Sequence, residues 1–181
     1  KTIGTHSNGQ PNKKIIAITM NKIKYMSHPC GSYNEDTLKI LKDELTEEYN
    51  TTKKFLNNFP KNKNDYAPHK KSMKLMDLTT HIVDIFRWPG VILKTEFLDF
   101  ADGYHPEKMD GKEDLLQQLE KQYIAGIKAL ESASEEDLTP DWSIRMNGQK
   151  IMEWSVCLSV FYILVSFSML GSLEFWRYFR F

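Results

Sequence analysis

Asp77-Leu-Thr-Thr-His81-Ile-Val-Asp-Ile-Phe-Arg-Trp88 is the stretch on which the reading of this chain turns. Together with Met73, Leu75 and Met76 before it, its apolar residues Leu78, Ile82, Ile85 and Phe86 recur at helical steps, so the spacing predicts a helix from a Ser72 cap to at least Trp88. Apolar residues cover more of its circumference than in an ordinary surface helix, which marks it as a central element. His81 shares the side of Leu78, Ile82 and Ile85 and is expected on the inner face. Pro89 and Gly90 break or kink the helix, while Val91, Ile92, Leu93, Phe97, Leu98 and Phe100 go on burying surface up to the polar loop at 102–110.

Upstream, Asn34 is a good N-cap, followed by Glu35 and Asp36 where negative charge suits exposed amides. Leu38, Leu41, Leu45, Tyr49 and Phe55 then form one stripe in steps of three and four, with Leu56 and Phe59 beside the last turn, and Pro60 closes the helix. Lysines and glutamates on the other face read as solvated surface. Residues 60–71, with two prolines and several Asn and Lys, form a loop.

Downstream, Asp110 and Glu113 outline a capping box for a third helix with the stripe Leu115, Leu116, Leu119, Tyr123, Ile127 and Leu130. Gly126 within it costs about 1 kcal/mol against alanine and marks a close helix contact. Beyond Pro140, residues 142–146 and 149–152 flank Asn147-Gly148, the strongest two-residue hairpin signal because both positions tolerate positive φ.

From Ser155 to Leu173 there are 19 residues without a charge. That meets the length for a membrane span, and the aromatic and basic residues 174–181 would suit its interfacial end. A fully enclosed helix fits equally. A third reading is a slipped reading frame: composition changes abruptly at Ser155 and no helical stripe continues, so this tail, with residues 1–25, is expected to be an out-of-frame or untranslated-region reading. Coding DNA in which neither alternative frame after Trp154 encodes a helix with His-x3-His would end that idea. Residues 1–33 have no periodicity and read as an irregular leader, with Met20 or Met26 as natural initiators.

The totals exclude several classes. Hydrophobic residues at 41% and charged residues at 27% describe one globular domain of ordinary composition. Twenty-four basic residues balance 24 acidic ones, and no basic face with interleaved aromatics points to nucleic acid. Cys30 and Cys157 lie far apart and suggest neither a disulfide framework nor a metal knuckle, so a reducing cytoplasm fits, with a membrane-anchored location as the alternative. His69 and His105, beside Pro68 and Pro106, read as solvated loop residues. Trp88 and Trp142 read as core, and Asp77, Asp84 and Glu96 as a solvated face.

In their order, the His81 helix with a tryptophan two turns on, residues 90–100, the third helix, the 136–142 stretch and the Asn147-Gly148 hairpin resemble the DinB-like superfamily of bacterial proteins over residues 35–154. The resemblance implies an all-α fold: an up-down-down-up four-helix bundle over 34–173, with a short β-hairpin before the last helix and a tail at 174–181. It further implies a divalent metal (zinc, nickel or iron) held by His81 and by two histidines four residues apart on the last helix, and thiol-transferase or hydrolase chemistry on a small-molecule or thiol substrate. Homodimers are common in that family. Only His81 matches a ligand position; no histidine follows His105, and Cys157 or Tyr162 would not supply the missing pair. No catalytic residue is assigned. The alternative function is a non-catalytic helical module anchored in a membrane by residues 155–173.

Overall fold

The computed structural model describes residues 36–102 and 107–173, with side chains over 36–101 and 107–164. The expected leader 1–33, the Asn34 cap, His105 and the tail 174–181 lie outside the described residues. The described part is mainly helical, with a small three-stranded sheet.

Helix α1 (Thr37–Asn57) is capped by Asp36, whose carboxylate accepts the Lys39 N–H at 2.9 Å. Leu38, Leu41, Leu45, Tyr49, Thr52 and Leu56 are buried along it, as the stripe predicts. The next helix departs from expectation at both ends. Helix α2 (Leu75–Ile85) is not capped by Ser72; the loop before it folds back, and the carbonyls of Tyr66 and Asn64 accept the orphan N–H groups of Leu75 (2.8 Å) and Met76 (3.1 Å). At its other end Pro89 starts a new helix instead of merely ending the old one. Helix α3 (Trp88–Lys94) carries Pro89 in its first turn, where a missing N–H costs nothing.

Strand β1 (Phe97–Asp99) leads into a 3-10 turn, Phe100–Asp102. Helix α4 (Lys112–Ser132) follows Gly111; the expected Asp110–Glu113 box is replaced by Asp114, which accepts the Asp110 N–H at 3.1 Å. Gly126 is the close contact anticipated, since a Cβ there would stand 3.0 Å from the Phe86 carbonyl and 3.1 Å from Leu45 Cδ2. A 3-10 turn, Glu135–Leu138, has its own capping box of Ser134 and Asp137, and Glu135 accepts the Leu38 N–H at 2.9 Å. The central helix is therefore α4, which packs on α1, α2 and α3, and not α2, whose main neighbour is α4 alone. With 11 residues and one open side, α2 is too short to organise a core.

Strands β2 (Asp141–Met146) and β3 (Gln149–Ser155) form the expected hairpin, and Asn147 (φ 52°) and Gly148 (φ 75°) take the positive φ that their turn requires. The expected two-stranded hairpin gains a third strand, β1, which pairs in parallel with β2 through Phe97–Ser143, Leu98–Ile144 and Asp99–Arg145. Three residues are too few to show alternation of their own, so this strand exists only through its partner.

Helix α5 (Val156–Leu173) continues from the hairpin, its first N–H donating to the Pro140 carbonyl at 2.8 Å. It packs on α1, α3 and β3. Residues 156–164 do carry a stripe, contrary to expectation: Val156, Cys157, Val160 and Leu164 are buried while Leu158 and Tyr162 are exposed. Among the described residues no helix is long and apolar enough to cross a membrane.

Candidate functional site

Helical geometry decides where His81 goes. Leu75, Leu78, Thr79, Ile82 and Val83 turn one broad arc of α2 into the core, and at 100° per residue Asp77 and His81 fall in the gap. Both are exposed. The inner-face expectation for His81 is thus corrected: adjacent numbering to Ile82 placed it beside the apolar stripe, not within it. Asp84, one turn on, is the exception on that polar side. It is buried at 3% exposure and faces Arg87 Nε at 3.0 Å, so the expectation of a solvated carboxylate fails there, while Asp77 and Glu96 are solvated.

The donor set does not fit the implied metal. A catalytic zinc takes three protein ligands and a structural one four. Among the described residues no three His, Cys, Asp or Glu side chains converge to hold an ion. Between 156 and 164, α5 offers no imidazole or carboxylate. Its Cys157 is buried and disulfide-bonded, which corrects the expectation that no disulfide exists and removes the thiolate as a donor; the chain's other cysteine, Cys30, lies outside the described residues. Tyr162 is exposed and packs edge-on against Trp154, ring centroids 4.8 Å apart. The helices that would share the ion also have different neighbours, α2 on α4 and α5 on α1 and α3.

What the fold does bring together are two polar joints. The buried Asp99 carboxylate accepts the backbone N–H groups of Ala101 (2.9 Å), Asn147 (3.1 Å) and Gly148 (2.6 Å), which ties β1 to the hairpin turn. Donation from Ala101, then Gly148 and Asn147, with the Arg145 charge, holds this acid below the usual carboxylate range. Arg145 itself lies over the Phe97 ring at 3.8 Å. On the α1–α4 seam, the Tyr49 hydroxyl donates to Glu120, and Lys53 reaches both, at 2.6 Å to the hydroxyl and 3.0 Å to the carboxylate. Burial first, and then the bond to Glu120, push the Tyr49 phenol up; that same bond, with Lys53, pulls Glu120 down. The proton therefore stays on the phenol. Tyr49 also stacks on Tyr123, centroids 4.0 Å apart, and Thr46 is 3.2 Å from the Tyr123 hydroxyl.

The remaining sequence candidates are structural. Trp88 and Trp142 are buried in edge-to-face contact at 6.3 Å, and the Trp142 indole donates to Thr95 at 3.1 Å. His69 is exposed and its Nδ1 accepts the Lys71 N–H at 3.2 Å. A shallow hollow of about 500 Å³ is lined by Asn62, Lys63, Asn64, Asp65 and Tyr66. Neither polar joint was legible beforehand, because each depends on partners 48 to 71 residues apart. No family model matches the chain, and no curated protein matches it either.

Proposed function

We propose that this chain is a DinB-like helical bundle of a metal-dependent transferase or hydrolase lineage whose ligand set is incomplete, so that it acts as a non-catalytic helical module. In this reading α1, α2, α4 and α5 are the four bundle helices, and α3 and the sheet are additions to them. The observation that carries it is an ordered series: helix α2 bearing His81, Trp88 opening the short helix α3 after it, the long helix α4, an Asn147-Gly148 hairpin, and a final helix without imidazole or carboxylate over 156–164. In the family that this series resembles, zinc, nickel or iron would act as a Lewis acid toward a thiol or water. Here His81 offers one exposed donor, and one donor does not hold an ion in place.

Metal analysis of the purified full chain tests this. We expect no stoichiometric metal, and no change in metal uptake for His81→Ala, whose thermal stability should stay within about 0.5 kcal/mol of the parent, as for exposed positions generally. One metal per chain, lost on that substitution, would restore the metalloenzyme reading.

A second reading concerns assembly: exposed Leu158 and Tyr162 on α5 favour a homodimer, for which a thermal transition that rises with protein concentration is the expected sign.

A further inference from the structure

Charge is balanced over the chain and segregated within it. Between residues 53 and 74 there are seven lysines against one acid, Asp65, in a sequence whose net charge is zero. Lys53 is engaged by Glu120 and Lys74 by Asp65. Among the described residues Lys54, Lys61, Lys70 and Lys71 form no ion pair, and all four are exposed.

These lysines sit on a pinned surface. The loop from Asn58 to Lys74 caps α2 with its own carbonyls, the Asn64 amide donates to the Asp110 carbonyl at 3.0 Å, and Lys112 donates to the Asn57 carbonyl at 2.7 Å. A backbone tied at these points carries the loop's lysines without the ordering cost that a free tail would meet on binding. Met73, between Lys71 and Lys74 in the sequence, is 47% exposed. Acidic residues limit the patch on the α4 side, where Asp110, Glu113 and Asp114 are exposed.

We infer that the α1–α2 loop docks on an anionic bilayer surface, with Lys61, Lys70 and Lys71 facing headgroup phosphates and Met73 entering the interfacial layer. A basic surface with one exposed apolar side chain gains twice from a bilayer, by attraction to the headgroups and by burial of the thioether. Single-stranded nucleic acid asks instead for exposed aromatic platforms. The loop's Tyr66 is half-buried, with Lys63 Nζ 5.8 Å over its ring.

Co-sedimentation of the full chain with phosphatidylcholine vesicles, with and without phosphatidylglycerol, tests the inference. Binding is expected only to the anionic vesicles, and it should fall as salt screens the attraction. Each lysine near such a surface contributes about fivefold, so Lys70→Gln with Lys71→Gln should weaken partitioning roughly 25-fold. Met73→Ser should weaken it less, and Lys128→Gln, on α4 and outside the loop, should leave it unchanged, with far-UV circular dichroism confirming that each variant is folded. No partitioning to anionic vesicles at low salt, equal partitioning to neutral ones, or equal losses in the loop and Lys128 variants would overturn it. So would binding to duplex DNA that depends on Lys70 and Lys71 without any binding to vesicles.

Discussion

Helices α4 and α5 are of similar length, 21 and 18 residues, and both bury leucines completely, yet they enter the core in opposite ways. Helix α4 alternates charge with apolar residues, so its sequence declares which side is inside. Helix α5 carries no charge, so nothing in its sequence marks a side; the sheet before it and helices α1 and α3 beside it choose the face that is covered. The contrast teaches that orientation is encoded by the difference between faces and not by total apolarity. The sharpest way to break the comparison is a matched pair of substitutions. Leu119 on α4 and Leu164 on α5 are each 0% exposed. Leu119→Ala should cost about 2–5 kcal/mol in urea unfolding, the range for a leucine replaced by a small residue in a packed core. If α5 is as firmly seated, Leu164→Ala falls in the same range. A cost under about 1 kcal/mol for Leu164→Ala alone would mean that α5 rests on the core without belonging to it.

The same difference explains what could be read in advance. The stripes of α1 and α4, the loop between α1 and α2, and the Asn147-Gly148 hairpin all rest on local contrast or local turn chemistry, and all are present. Strand β1 and the Asp99 clamp depend on residues more than 40 positions away and left no local trace. His81 departs from its expected face for a subtler reason. A helix as apolar as α2 has a narrow polar gap, and one residue decides whether a side chain lies in it. Of the implied metal site only the presence of that histidine on that helix was legible, and the fold points it outward.

Helix α5 also contains a polar group that α4 would place in solvent. Ser159 is 2% exposed and, among the described residues, its hydroxyl has no hydrogen-bond partner. An unmade bond at a buried hydroxyl costs about 1–3 kcal/mol, so Ser159→Ala should raise stability by about 1 kcal/mol, helped slightly by alanine's better helix propensity. A thermal melt shows this as a higher midpoint. A lower midpoint would mean that the hydroxyl has a partner in solution and that this turn of α5 is better satisfied than its neighbours indicate.

The smallest effect belongs to the polar joint that fastens α4 to α1. Glu120 is held below its ordinary range first by the Tyr49 hydroxyl and then by Lys53, so its contribution to folding has a definite sign with pH. A carboxyl whose folded pKa is depressed stabilises the fold above its unfolded pKa, about 4.3, and loses that stabilisation as pH falls through the lower folded value. The Glu120 and Lys53 side chains are 47% and 46% exposed, so solvent screens the pair and its worth is about 0–1 kcal/mol. Glu120→Gln keeps an acceptor for Tyr49 and removes the charge. The variant should therefore be slightly less stable than the parent at neutral pH, and the two unfolding curves should converge below pH of about 4. Added salt should narrow the neutral-pH gap without moving the convergence, because it screens the Lys53 attraction and leaves the phenol's hydrogen bond in place. A gap that persisted in acid would mean that Glu120 acts here through packing of its stem against the α1 seam and not through its charge.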